Sequence, residues 1–217
     1  MSAKLYKIDL SPPARAAMMG CEIFNVPVEL IDVNLLEGEH LTPEFLKKNP
    51  LHSVPVFEKD ELILHDSHAI LAYLADAYGK DDSWYPKDPK ERALVNQKLF
   101  FDTSILFPRL RNVTYGVVIQ GKRTVEPKLL ADIEEAYEFT EAFLKRSKYL
   151  AGNKITIADV SAISNVTSLI GVVALNEQKY PKLAAWMKDV TEQPFCKKYN
   201  EKGAAGLRQI VRERLGN

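Results

Sequence analysis

Cysteine, an excess of one charge and long apolar runs are scarce or absent in this chain of 217 residues. Cys21 and Cys196, its two cysteines, form neither a CxxC pair nor a zinc-binding spacing, which excludes a disulfide scaffold and a zinc finger. Basic and acidic residues number 29 each, so the chain has no electrostatic footprint of a nucleic-acid binder. No apolar run approaches the roughly 20 residues of a membrane span. The expected partner is a small molecule, not nucleic acid or a membrane.

Hydrophobic residues make up 46% of the sequence, which is typical of a folded globular protein. The length suffices for one or two domains. The first residues lack the apolar core of a signal peptide, so we expect a cytoplasmic protein with both cysteines as buried thiols.

Short apolar runs and turn residues predict an α/β domain over residues 1–80. Strands are predicted at 4–9, 28–34, 54–58 and 62–65, and helices at 12–25, 42–48 and 67–78. The last two strands are joined by a polar turn at Lys59-Asp60 and form a hairpin. The predicted order is therefore β-α-β-α-β-β-α.

Residues 81–88 predict a linker, and residues 89–217 predict an all-α domain. Thr156 and Asp159 form a capping box that begins a buried helix of about 18 residues. Further helices are predicted at 89–120 with a kink at Pro108, at 126–147, at 181–192 and near 207–214.

Two predicted helices begin with residues that can hold an anion. Ser11 stands before two prolines at the start of the first, where it is either only a cap or a ligand for a thiolate or carboxylate. Asp66, Ser67 and His68 open the third, as a cap or as a site where N–H groups hold a carboxylate and Asp66 attracts an ammonium. If both helices point toward one sheet edge, they provide a place for a small zwitterion.

Pro55 stands at the start of a predicted strand, where a proline indicates an edge or a tight turn. A cis Val54-Pro55 bond would expose the Val54 backbone to a ligand. His40 and His52 lie in polar loops, as ligand contacts, metal ligands or exposed side chains. They have neither a helical i, i+4 histidine nor a cysteine partner, so the sequence predicts no metal site.

The helix around Pro108 carries more large apolar residues than one packed face needs. Most are expected in the core. The functional alternative is an apolar cleft against the first domain, lined by Leu106, Phe107, Arg111 and Tyr115.

Five motifs follow one another along the chain: SPPARA at 11–16, NPLHSVPVF at 49–57, DSHAI at 66–70, YGKDDSWYPKDPKERA at 78–93 and LAGNKITIADVS at 150–161. In these motifs the sequence resembles the cytosolic glutathione S-transferases, and among them the insect epsilon class. The resemblance spans nearly the whole chain.

This resemblance implies a thioredoxin-like N-terminal domain that binds glutathione and an all-α domain that supplies most of the electrophile pocket. Ser11 matches the serine whose hydroxyl bonds the glutathione sulfur, which attacks electrophiles as a thiolate. The implied glutathione-binding residues are His40, His52, Val54, Pro55, Asp66, Ser67 and His68. The implied electrophile-site residues are Pro13, Leu36, Leu106, Phe107, Arg111, Tyr115 and Leu207. The resemblance also implies a homodimer with a detoxification role.

Other functions use the same fold. Peroxidase, dehydrochlorinase and isomerase reactions would employ the same thiolate, and a ligand carrier, a crystallin or an interaction domain would employ none. A cysteine-dependent thiol transferase is disfavoured, because Cys21 lies ten residues past Ser11, about 15 Å along the helix.

Overall fold

A four-stranded sheet organises the first domain of the structure, a computed structural model that describes residues 2–216. The strands are β1 (Ala3–Lys7), β2 (Val28–Asp32), β3 (Val56–Lys59) and β4 (Leu62–His65). Their spatial order is β2–β1–β3–β4, with β1 parallel to β2 and β3 antiparallel to both of its neighbours. The hairpin turn lies one residue later than predicted, since Lys59 pairs with Leu62 and Asp60 adopts a φ of 53°. Positive φ angles suit two-residue hairpin loops.

The helices of this domain are α1 (Pro12–Ile23), α2 (Pro43–Lys48) and α3 (Ser67–Tyr78). α1 and α3 pack tightly at Gly20, where there is no room for a side chain. A Cβ at this position would lie only 2.6 Å from Cδ2 of Leu71. The β-α-β-α-β-β-α order and the thioredoxin-like fold are confirmed.

The second domain is helical, as predicted. Its α-helices are α4 (Pro89–Phe101), α5 (Phe107–Thr114), α6 (Pro127–Leu144), α7 (Ile157–Leu169), α8 (Pro181–Thr191), α9 (Pro194–Tyr199) and α10 (Glu201–Leu215). α9 was not predicted, and α10 begins six residues before the predicted start. The first two turns of α10 contain Gly203 and Gly206, which weaken its helical signal.

The long helix predicted at 89–120 is continuous over residues 89–119, a segment that we call the rod. It contains two π-helical turns, at Asp102–Leu106 and Tyr115–Ile119. The first one lies just before the predicted kink. Pro108 has no N–H to donate, and its ring would meet the carbonyl of Ser104 in a regular α-helix. The rod therefore widens one turn before the proline.

The capping box at α7 is confirmed. The Thr156 N–H donates to Oδ2 of Asp159 over 2.9 Å, and Asp159 also accepts from the indole of Trp186 over 2.8 Å. α7 has 13 residues, all buried, and is shorter than the predicted 18 because it ends before Gly171.

The fully buried side chain of Arg15, on α1, joins the two domains. Its Nη1 donates to the carbonyls of residues 9 and 10 over 3.0 Å each. Nε donates to Asn200 over 2.8 Å, and Nη2 donates to the Ser164 carbonyl over 2.9 Å and to Ser168 over 2.6 Å. All five N–H donors of the guanidinium are used. The loop before Ser11 is therefore fastened to the helical domain.

Candidate active site

A cavity of about 560 Å³ lies between the two domains. The β1–α1 loop and the loop after β2 form one wall, and the rod and α10 form the other. Most of its lining is apolar, which suits a hydrophobic ligand. Its lining residues are Ile8, Leu10, Ser11, Pro12, Leu35, Leu36, Phe107, Leu110, Arg111, Thr114, Tyr115, Val118, Ile119, Arg123, Leu207, Ile210, Glu213 and Arg214.

Ser11 lies in this cavity as the N-cap of α1. Its Oγ accepts a hydrogen bond from the N–H of Ala14 over 3.4 Å. The hydroxyl donates to no group within residues 2–216, so its hydrogen is available to a ligand. The helix N-terminus adds partial positive charge at the same point. The arrangement can stabilise an anion in the cavity.

Asp66 and Ser67 begin α3, as the sequence predicts. Oδ1 of Asp66 accepts from the N–H groups of His68 and Ala69 over 2.8 and 3.2 Å, and Oδ2 is left for a cation. The Ser67 hydroxyl makes no hydrogen bond to another described residue. Its backbone N–H lies in the first turn of the helix and has no intrahelical acceptor. An ammonium and a carboxylate can therefore bind side by side here.

His68 is held between two carboxylates. Its Nδ1 lies 3.1 Å from Oδ1 of Asp66, and its Nε2 lies 2.9 Å from Oδ2 of Asp102. Burial lowers the pKa of His68, but the bonds to Asp102 and Asp66 outweigh it and raise the pKa to about 10. Burial raises the pKa of Asp66, yet His68 and the helix N–H groups hold it below its ordinary value. His68 is therefore an imidazolium at neutral pH.

Asp102 was not identified from the sequence. It is fully buried at the start of the first π-helical turn and accepts from Ser161 over 2.6 Å and from Asn165 over 2.8 Å. Through His68 these α7 side chains support the start of α3. The partners are separated by dozens of residues along the chain, so no local motif indicates this network.

The Val54-Pro55 peptide bond is cis, an alternative that the sequence left open. Both residues are buried just before β3. The backbone N–H and C=O of Val54 have no acceptor or donor among the described residues. They are free to pair with an extended peptide.

His40 and His52 come together, with their ring centroids 6.1 Å apart. Burial and the neighbouring His52 lower the pKa of His40, and its buried Nδ1 has no hydrogen-bond partner in the described chain. His52 is exposed and has a φ of 44°. Within residues 2–216 no group of three or more His, Cys, Asp or Glu side chains has the arrangement to hold a metal ion.

Five of the seven proposed electrophile-site residues line the cavity: Leu36, Phe107, Arg111, Tyr115 and Leu207. The other two do not. Leu106 is completely buried in the core, because it points to a different side of the helix from its neighbour Phe107, which faces the cavity. Pro12 lines the cavity in place of Pro13, since successive residues of a helix point in different directions.

Several lining residues were missed but follow a readable spacing. Ile119 continues the four-residue spacing of Phe107, Arg111 and Tyr115 along the rod. Ile210 and Arg214 continue the helical spacing of Leu207 on α10. Residues on the loops, such as Ile8 and Leu35, show no such pattern.

Both cysteines are buried, as predicted. Burial raises the pKa of the Cys21 thiol to about 12 and that of Cys196 to about 11. Neither thiol lines the cavity, so neither serves as its nucleophile. Among the described residues no helix is both long and apolar enough to cross a membrane.

Comparisons with known proteins agree with this geometry. Residues 1–76 match the model of the glutathione S-transferase N-terminal domain, and residues 82–194 match that of the C-terminal domain. Glutathione S-transferase 1 of Manduca sexta is 43% identical and is aligned over 99% of this chain and 100% of its own length.

Two solved structures are similar over nearly their whole length. An epsilon-class glutathione S-transferase from the housefly, Musca domestica, has a TM-score of 0.96 and 43% identity, and 98% of each chain is covered. A glutathione transferase homologue from Drosophila mojavensis with bound glutathione has a TM-score of 0.95 and 42% identity, with 98% of this chain and 97% of that chain covered. The resemblance inferred from the motifs is confirmed, and the chain belongs to the glutathione S-transferase family.

Proposed function

We propose that this glutathione S-transferase activates glutathione through Ser11 and conjugates it to hydrophobic electrophiles bound in the interdomain cavity. The observation that carries the proposal is the Ser11 hydroxyl, which faces the cavity at the start of α1 with its hydrogen unused. A thiolate bound there accepts that hydrogen and gains from the helix N-terminus.

The expected lowering of the thiol pKa is large enough to supply the reactive thiolate. A free thiol has a pKa of about 8.5, and the thiolate is its reactive form. One charge-assisted hydrogen bond contributes about 1.5–3 kcal/mol, which lowers a thiol pKa by about one to two units. The proton can leave to water, so no protein base is needed. The cavity then holds the electrophile beside the sulfur.

The other proposed contacts with glutathione use hydrogen-bonding groups of the protein that have no partner within the described chain. Asp66 and Ser67 hold the γ-glutamyl ammonium and carboxylate, supported by the His68–Asp102 contact. The Val54 backbone, before cis Pro55, pairs with the cysteinyl unit. His40 and His52 bind the glycine end. This chemistry requires no metal.

We infer a homodimer that works in the cytoplasm. Phe100 and Leu94 on α4 are 67% and 49% exposed. Covering such side chains removes apolar surface from water, which favours association. A second copy of the chain would cover them.

The decisive experiment is a pH titration of the thiolate absorbance of glutathione bound to the wild-type protein and to Ser11→Ala. We expect a pKa below the free value in the wild type and a return toward about 8.5 in the variant, with turnover reduced about 10- to 100-fold. Ser83→Ala, outside the cavity, serves as the control. Binding without a lowered pKa would support a carrier instead, and near-normal turnover of Ser11→Ala would remove Ser11 from the mechanism.

A further inference from the structure

Arginine side chains without carboxylate partners line the cavity. Arg111, Arg123 and Arg214 all contribute to its wall, and none forms an ion pair with a carboxylate of residues 2–216. By contrast, Arg109 on the same rod turns away from the cavity and pairs with Glu135 of α6. Arg146 and Arg212 have no carboxylate partner among residues 2–216 either, so the feature specific to this cavity is that three such arginines line it together with apolar side chains.

Arg111 is exposed and has no hydrogen-bond acceptor among residues 2–216. Its Cζ lies 5.1 Å from the centroid of the Tyr115 ring, a cation–π contact that orients the guanidinium. It donates to no described residue, so its five N–H groups remain available. The planar fork of an arginine matches a carboxylate in geometry and charge.

Arg123 is held at the end of α10. Its Nη1 donates to the Arg214 carbonyl over 3.2 Å and thereby completes a helix C-terminus. Its other N–H groups have no partner among the described residues. Glu213 is the only acidic residue in the lining, and its Oε1 is engaged by Gln209 over 2.8 Å. The lining thus carries more positive than negative charge.

The arginine end of α10 lies far from Ser11. Gly203 packs closely against the carbonyl of Asp9, two residues before Ser11. A Cβ at position 203 would lie only 2.1 Å from that carbonyl oxygen. Arg214 follows eleven residues later, about 16 Å farther along the helix. Leu207 and Ile210 line the cavity between these points. An apolar passage therefore connects the Ser11 end to the Arg214 end.

We propose that the electrophile is an amphiphilic acid: an apolar chain with its reactive carbon beside Ser11 and a carboxylate at the far end, bound by Arg111 and Arg123. The inference rests on the proposed conjugation and specifies its substrate class. The glutathione carboxylates do not account for these arginines, because the residues proposed to bind them, Ser67, His40 and His52, lie outside the cavity lining.

The reaction with an alkenal of this kind balances without a further reagent. The glutathione sulfur forms a bond to the β-carbon, and the π electrons of the double bond move onto the carbonyl oxygen as an enolate. A proton from water then reaches the α-carbon. No group leaves, and nothing is oxidised or reduced. The arginines take no part in these steps and determine only which electrophile is held.

The test compares ω-carboxy-dec-2-enal with its methyl ester, which has the same reactive group and chain but no charge. For each protein the readout is kcat/KM for the acid divided by kcat/KM for the ester, after correction for the spontaneous reaction. The proteins are the wild type, Arg111→Gln, Arg123→Gln, the double variant and Arg212→Gln. Arg212 is an exposed α10 arginine outside the cavity lining and controls for the loss of one positive charge.

We expect the wild type to prefer the acid about tenfold, equivalent to about 1.4 kcal/mol. The ratio should fall in each single variant and approach one in the double variant, through a rise in KM for the acid, while Arg212→Gln keeps the wild-type ratio. A wild type that conjugates the ester as well as the acid, or variants that keep the wild-type ratio, would overturn the amphiphilic substrate and leave the transferase proposal intact. A wild type that conjugates neither probe nor 1-chloro-2,4-dinitrobenzene would overturn both.

Discussion

Replacing His68 by glutamine removes the cation that contacts buried Asp102 and leaves that carboxylate with neutral donors only, Ser161 and Asn165 among them. Loss of one partner from a buried ion pair costs about 3–5 kcal/mol. The pKa gives a matching value: a rise from 6.5 to about 10 corresponds to about 5 kcal/mol, at about 1.36 kcal/mol per pKa unit. We expect His68→Gln to lower the free energy of unfolding by several kcal/mol at neutral pH.

The sharper test is how the difference in free energy of unfolding between the wild type and His68→Gln depends on pH. The pKa of His68 is higher in the folded protein than in the unfolded chain, so the ion pair contributes fully below about pH 6.5. Its contribution is lost as the pH rises to about 10, because the folded protein retains a proton that the unfolded chain has released. The stability difference between wild type and variant should therefore shrink by about 1.4 kcal/mol per pH unit between about pH 7 and 9.

Urea unfolding followed by tryptophan fluorescence measures the difference at about pH 6, 7.5 and 9. Protein concentration is kept constant, because subunit association contributes to apparent stability. His65→Gln is the matched control: His65 is half-buried on β4, and it has no ion pair within the described part of the chain. A difference for His68→Gln that stays constant from pH 6 to 9 would show that folding leaves the pKa of His68 unchanged and would refute the reasoning.

Three further outcomes are expected. Ser67→Ala and Asp66→Ala should each weaken glutathione binding about tenfold, because each removes one polar contact of roughly 1–2 kcal/mol; unchanged binding by calorimetry would refute the γ-glutamyl site. Gly203→Ala should lower the free energy of unfolding by about 1–3 kcal/mol, since its Cβ would lie 2.1 Å from the Asp9 carbonyl oxygen, whereas Gly206→Ala meets only a side chain at 3.2 Å and should be tolerated. Light scattering should give twice the chain mass of 24.5 kDa, and a value of 24.5 kDa would exclude the homodimer.

Features encoded by neighbouring residues could be predicted from the sequence. The Thr156–Asp159 capping box, the cap at Ser11 and the start of α3 at Asp66 each depend on side chains within three positions of the backbone groups that they bind. The caps at Ser11 and Asp66 are the two ends of the glutathione site that we propose, and both can be read from short stretches of sequence.

Features that arise from packing between residues far apart in the chain could not be predicted from the sequence. Asp102 bonds to His68 and Asn165, which lie 34 and 63 residues away along the chain. Packing against distant elements decides which of the adjacent residues Leu106 and Phe107 faces the cavity, and so Leu106 was assigned to the wrong side. The early start of α10 is obscured by glycines such as Gly203, which are there to let the helix approach the β1–α1 loop.

The Arg15 contacts restrict how the two halves of this protein can be exchanged with those of relatives. The loop that carries Ser11 is fastened by a side chain of the first domain, but Ser164, Ser168 and Asn200 of the second domain complete the attachment. A chimera that joins this first domain to a foreign helical domain without those acceptors would bury a guanidinium with unmet donors. An exchange of domains therefore has to carry both sides of this junction, the guanidinium and its acceptors, together.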